Sequence, residues 1–132
     1  DTYKGEMDEV VYRRCRYVVD ENQRLLDACA ALEKGDYVTF GQKMNGSHEG
    51  LSRQYEVSCD ELDFLADIGH RTDGVLGARM MGGGFGGCTI NLVRAEAYDG
   101  YLAEATDRFA HRFGHAPRVI EVNISQGARR IG

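Results

Sequence analysis

The sequence has no tryptophan, a single proline and no long apolar run in its 132 residues. A membrane-spanning helix needs ~20 predominantly apolar residues, and the opening residues lack the pattern of a signal peptide. Internal repeats, low-complexity tracts and domain linkers are missing as well. We therefore expect residues 1–132 to form a single domain that does not enter a membrane.

Positive charge is also scarce, because the sequence has 16 Lys and Arg residues but 21 Asp and Glu residues, which gives a net charge of −5. Proteins that bind nucleic acid neutralise its phosphates with clustered Lys and Arg, so this balance argues against a nucleic-acid partner. The sequence contains no C-x-x-C pair, no H-E-x-x-H motif and no complete phosphate-binding loop. It thus predicts no metal site and no catalytic residue.

The four cysteines are scattered and match no zinc or disulfide pattern: Cys15, Cys29, Cys59 and Cys88. We interpret them as reduced thiols of a cytoplasmic protein. Cys15 and Cys29 fall on the apolar face of a predicted helix, so we expect both thiols in the core.

Apolar residues recur at helical spacing in four stretches. The predicted helices run from about Glu6 to Lys34, from the capping residue Asp36 to about Gly50, from a capping box at Ser58 and Glu61 to about Arg71, and from Tyr98 to Phe113. The first helix carries a stripe that is expected to be buried: Val11, Cys15, Val18, Asn22, Leu25, Cys29 and Leu32. In the second helix, the residues expected to be buried are Tyr37, Phe40, Met44 and Leu51.

Strand patterns flank a glycine-rich run near residue 85, and a third strand is predicted over about Arg118–Ile124. The order of helices and strands predicts an α+β fold, in which helices pack on one side of a small, mostly antiparallel sheet. A sheet this small leaves its edges exposed. We therefore expect strands from elsewhere in a longer protein, or from a second copy, to complete the sheet.

Five glycines occupy six positions in the run Gly82, Gly83, Gly84, Phe85, Gly86 and Gly87. Each glycine costs about 0.5–1 kcal/mol relative to alanine, so a simple turn does not explain all of them. The run fits G-x-G-x-x-G, but Cys88–Val93 alternates like a strand, whereas a dinucleotide site needs a helix there. A wide hairpin connection and a loop that faces a ligand both remain open.

The stretch Gly77–Cys88 resembles the third signature of the galactose-homoserine-mevalonate-phosphomevalonate (GHMP) kinase superfamily. Its form, with Phe85-Gly86-Gly87-Cys88, is similar to that of the galactokinase family. Met81 stands where that family usually has Thr, which removes a hydroxyl group. Further stretches agree in the same order, so that the resemblance covers about Tyr12 to Ala128: Arg14–Asn22, Leu32–Asp36, Met44–His48, Tyr55–Ser58, Glu61–Asp63 and Ser125–Ala128.

The resemblance implies the C-terminal domain of a kinase whose catalytic residues belong to an N-terminal domain of the same protein. Galactokinases transfer the γ-phosphoryl group of ATP, with Mg²⁺, to the 1-hydroxyl of α-D-galactose. Gly82–Gly87 would then form a wall of the active-site cleft near galactose and ATP. This chain alone would hold no ATP or Mg²⁺, would be inactive, and would be able to self-associate through its sheet edges.

Two alternatives to a galactokinase stay open under the resemblance. The first is another small-molecule kinase of the superfamily. The second is a non-catalytic, galactokinase-like sensor that binds ATP and sugar to control a protein partner.

Overall fold

The computed structural model describes residues 4–122 and 125–127. The predicted α+β class is confirmed, because these residues form helices and an antiparallel pair of strands. None of the helices in these ranges combines the length and apolar character that crossing a bilayer requires. The elements are α1 (Glu9–Glu33), α2 (Tyr37–Gly50), a π-helical turn (Leu51–Tyr55), α3 (Asp60–Arg71), β1 (Val75–Met81), β2 (Cys88–Val93), a 3-10 turn (Ala95–Ala97) and α4 (Tyr98–Phe113).

Aspartate side chains set where α1 and α2 begin. The Asp8 carboxylate accepts hydrogen bonds from the backbone N–H groups of Val10 (2.9 Å) and Val11 (3.3 Å). Asp36 accepts one from the N–H of Thr39 (2.9 Å), which confirms its predicted capping role. Each bond satisfies an amide that has no partner within its own helix.

The capping box predicted for α3 is wrong. Cys59 occupies the N-cap position, and its side chain makes no capping hydrogen bond. The Ser58 hydroxyl donates instead to the carboxylate of Asp63, with 2.5 Å between the oxygens. Ser58 therefore belongs to a polar cluster between helices and does not cap α3.

The outer edge of β1 is closed by side chains from α2 and α3. β1 pairs with β2 from Val75↔Val93 to Met81↔Cys88. On the opposite edge of β1, the N–H of Ala78 donates to Oδ1 of Asn45 (2.8 Å), and the Ala78 carbonyl lies 2.8 Å from Nε2 of His70. Because these groups are satisfied, this edge has no free ladder positions there for another strand.

The core lies between α3, α4 and the strand pair. Ile68, Tyr101 and Ala105 are buried together, and burial raises the pKa of Tyr101 to about 12. α2 crosses β1 so closely that a Cβ on Gly41 would lie 2.0 Å from the carbonyl oxygen of Leu76. Glycine at position 41 is therefore required by the contact between the two backbones.

The stripe predicted to be buried on α1 is exposed. The exposed fractions are 50% for Val11, 45% for Val18, 62% for Leu25 and 49% for Leu32. The expectation that Cys15 and Cys29 lie in the core is wrong as well, because both thiols are exposed. All four cysteines are free, and Cys88 is also exposed. α1 packs on α2 through a different face, where Tyr17 and Ala31 are buried.

The set of residues predicted to be buried on α2 is also wrong. Tyr37 is exposed, and Phe40, Met44 and Leu51 are only half-buried, whereas the buried positions are Gly41, Ser47, His48 and Gly50. α2 ends at Gly50, as predicted, and the chain continues directly into the π-helical turn. A Cβ at Gly50 would lie 2.5 Å from the ring of Tyr17, so this glycine makes room for α1.

The third strand predicted over Arg118–Ile124 is wrong for residues 118–122, which form no strand; residues 123–124 lie outside the described residues. Val119, Ile120 and Val122 are exposed. Apolar alternation gives a segment the pattern of a strand, but a strand needs a neighbouring backbone to bond with. The side chains that occupy the outer edge of β1 leave no partner there.

Candidate functional site at the glycine loop

The glycine run connects β1 to β2 as the loop Gly82–Gly87, which we call the glycine loop. Phe85 adopts a φ of 58°, a conformation that costs a residue with a Cβ about 1–2 kcal/mol, and its side chain is 78% exposed. Glycine enters this region freely. The remaining positive φ angles in the loop are 80° at Gly82, 83° at Gly84, 121° at Gly86 and 95° at Gly87.

The middle of the glycine loop is docked on the backbone that follows the π-helical turn. The N–H of Phe85 donates to the carbonyl oxygen of Val57 (2.7 Å). A Cβ on Gly84 would lie 1.9 Å from that same oxygen. Gly84 therefore has a structural role, since only glycine lets the two backbones approach.

The other loop glycines face open space. A Cβ added to Gly82, Gly83, Gly86 or Gly87 would meet no atom within 4 Å. These positions present backbone without side chains, and backbone amides of this kind can receive an anion or line a ligand. The loop thus has one docked point at Gly84 and an open surface on either side of it.

His48 holds the strand that leads into the glycine loop. Its Nδ1 accepts a hydrogen bond from the backbone N–H of Met80 (3.1 Å), two residues before Gly82. Because a backbone N–H only donates, Nδ1 carries the lone pair and the ring proton sits on Nε2. The neighbouring Ser47 reaches the other way and donates its hydroxyl to Glu21 of α1.

A polar cluster around Asp63 supports His48. Nε2 of His48 lies 3.2 Å from the Asp63 carboxylate, which also accepts from the hydroxyls of Ser52 (2.9 Å) and Ser58 (2.5 Å). Burial lowers the pKa of His48 below its ordinary value of 6.5, and the negative charge of Asp63 opposes this shift. A neutral His48 is what the hydrogen bond from Met80 requires.

Two arginines hold the backbone on which the loop docks. Glu56 has a left-handed backbone (φ 62°) directly before Val57. Its carboxylate lies 2.7 Å from Arg13 and 3.2 Å from Arg14. Hydrogen bonding to Arg14, reinforced by the charge of Arg13, lowers the pKa of Glu56. α1 is thereby linked to the support of the loop.

Sequence reasoning selected the glycine loop but missed the groups that hold it: His48, Asp63 and Val57. All three residues lie in stretches of the family resemblance, and a second signal was the spacing of Asn45 and His48, which places both side chains on the same face of α2. Among residues 4–122 and 125–127, no group of three or more His, Cys, Asp and Glu side chains could hold a metal ion. Chemically, the site offers open backbone on a fixed support.

Residues 28–111 match the family model described as GHMP kinases C terminal. The chain is 41% identical over 125 residues to the galactokinase of Clostridium beijerinckii, which covers 95% of this chain and 32% of that protein. It is 44% identical over 122 residues to the galactokinase of Streptococcus thermophilus, covering 92% and 31%. The chain spans about a third of the length of these relatives.

Two solved structures are similar to the fold described above. The Lactococcus lactis galactokinase complexed with galactose matches 83% of this chain and 28% of its own, with a TM-score of 0.80 and 38% identity. The L. major mevalonate kinase in complex with R-mevalonate matches 65% and 26%, with a TM-score of 0.57 and 33% identity. The chain belongs to the C-terminal family of GHMP kinases, and within that family its sequence matches galactokinases.

Proposed function

We propose that this chain, as a single domain over residues 1–132, is the C-terminal domain of a galactokinase. The intact cytoplasmic enzyme would transfer the γ-phosphoryl group of ATP to the 1-hydroxyl of α-D-galactose. The observation that carries the proposal is the match to galactokinases along more than nine-tenths of the chain. The similarity to a galactokinase that was solved with galactose supports the choice of sugar.

In this proposal the open glycines of the loop form one wall of the cleft between this domain and an N-terminal domain. Phosphoryl transfer depends on the positions of its reactants and on stabilisation of charge. Backbone without side chains shapes such a wall without displacing sugar or phosphate. The bond from Phe85 to Val57 and the bond from Met80 to His48 would hold that wall in place. Mg²⁺ would enter bound to ATP, and we assign it to no residue of this chain.

The test compares two valine variants of the protein expressed from its complete gene. Gly83→Val puts a side chain on the open side of the loop, whereas Gly100→Val puts the same side chain in open space on α4. We expect Gly83→Val to lower kcat/KM for galactose by about tenfold or more and Gly100→Val to leave it within about twofold. ADP formation that depends on galactose is the readout.

Equal kcat/KM for the two variants, with equal melting temperatures, would remove the glycine loop from the cleft. The unmodified protein also tests the alternatives. Turnover with mevalonate in place of galactose would favour the kinase reaction suggested by the second solved structure. Binding of galactose and ATP without turnover would favour a sensor. The isolated 132-residue chain should show no galactose-dependent turnover.

A further inference from the structure

The exposed stripe of α1 has the spacing of a helix-packing surface. Val11, Val18, Leu25 and Leu32 repeat every seven residues, and Cys15, Asn22 and Cys29 lie four residues after the first three. A stripe that steps by four and three selects a helical partner that crosses at about 20°. Its length, from Val11 to Leu32, is about 32 Å at 1.5 Å per residue.

The stripe is too apolar and continuous to be an ordinary solvated face. Val19 (65% exposed) and Leu26 (63%) widen it on one side. At its start lies a groove of about 350 Å³, in which Met7, Tyr12, Cys15 and Val19 are rimmed by the charged side chains of Lys4, Arg16 and Asp20. Soluble proteins seldom expose contiguous apolar patches beyond a few hundred Å², and larger ones mark contact surfaces.

We infer that an apolar helix from the remaining part of the same polypeptide covers this stripe. The inference rests on the proposed function, because the galactokinases that match this chain are about three times its length. Their additional residues supply enough chain for such a helix. The single polar residue in the middle, Asn22, is of the kind that fixes the register of a helix pair.

A covering segment from the same polypeptide is favoured over a second copy of this chain. A tethered segment meets the stripe at a high effective concentration, whereas a second copy must associate from solution. Two copies would also each bring a net charge of −5, and their mutual repulsion opposes pairing. The covering helix would also pack on the element that supports the glycine loop, because Arg13 and Arg14 of α1 form ion pairs with Glu56.

Two cysteines in the stripe make the test direct, because Cys15 and Cys29 are exposed here. The protein is expressed from its complete gene and labelled with N-ethylmaleimide, and mass spectrometry follows each cysteine. We expect both thiols to react at least about tenfold more slowly than in urea-unfolded protein. The matched control is Gly100→Cys on α4, where a new side chain meets no atom within 4 Å, and this thiol should react at close to the unfolded rate.

Labelling of Cys15 and Cys29 at the unfolded rate would overturn the inference. So would protection that is lost when the protein is diluted about a hundredfold, because a second copy would then be the cover. Galactose-dependent ADP formation is measured on the same sample. If the sample is active and its thiols react at the unfolded rate, the proposed function is supported and the covering helix is refuted. Protected thiols without activity would leave the covering helix standing without that function.

Discussion

Gly84→Ala tests whether the glycine loop is docked on Val57. The new Cβ would lie 1.9 Å from the Val57 carbonyl oxygen, so the loop must move away from it. That movement breaks the bond between the Phe85 N–H and the Val57 oxygen, at about 0.5–1.5 kcal/mol. The φ of 83° adds about 1–2 kcal/mol of strain for alanine. We expect the free energy of unfolding to fall by about 2–3 kcal/mol.

Alanine substitutions at Gly82 and Gly83 distinguish the cost of the steric clash at Gly84 from the cost of its backbone strain. Gly82 has a φ of 80° and open space at its Cβ position, so Gly82→Ala should cost only the strain, about 1–2 kcal/mol. Gly83 has open space and no positive φ, so Gly83→Ala should leave stability unchanged or raise it by about 0.4–1 kcal/mol. The stabilising effect of alanine on the unfolded chain is common to all three variants and cancels in their differences.

Urea unfolding followed by circular dichroism gives the three free energies. On heating, Gly84→Ala should also melt about 8–12 °C below the unmodified chain. The order of loss should be Gly84→Ala, then Gly82→Ala, then Gly83→Ala. If Gly84→Ala costs no more than Gly82→Ala, the loop does not rest on Val57 and the account of this glycine is refuted.

Two further variants test the support of the loop. The pKa of His48 is lowered in the folded chain, so its contribution to stability is present above the ordinary value and is lost as pH falls through the folded pKa. In the unmodified chain, the free energy of unfolding should fall between about pH 7.5 and 5.5 by at most about 1.4 kcal/mol per pH unit. His48→Gln should make this fall shallower. An unchanged slope would show that His48 does not cause the fall. Gly41→Ala should lower the unfolding free energy by about 3 kcal/mol or more, because its Cβ would meet the Leu76 carbonyl oxygen at 2.0 Å. A loss below about 1 kcal/mol in urea unfolding would show that α2 and β1 separate easily.

Local signals in the sequence predicted the elements that local physics determines. The four-residue and three-residue steps of α4 and the αL glycine at Gly114 define that helix from Tyr98 to Phe113. The alternation after the glycine run gives β2 from Cys88 to Val93. Caps and turns act over a few residues, so these boundaries follow from nearby sequence.

Faces that depend on distant partners could not be predicted in the same way. Apolar periodicity found the stripe on α1, but it gives no information about which segment covers a stripe. On α2 the buried face carries Asn45 and His48 because it lies along the outer edge of β1, whose N–H groups need acceptors. A rule that equates burial with apolar residues chooses the wrong face for a helix in this position.

The candidate site combines a loop that has little intrinsic rigidity with a polar cluster that supplies it. Glycine lets the backbone reach Val57, but glycine also loses the most conformational freedom on folding. The bonds from Met80 to His48 and from Phe85 to Val57 fix two points on either side of Gly82 and Gly83. Four residues lie between the two anchors, and of these only Gly82 and Gly83 have open space at the Cβ position. Substitution of His48 or Asp63 should therefore make the loop more mobile even though every glycine is kept. Residues that act in this way position the loop and do not contact a ligand themselves.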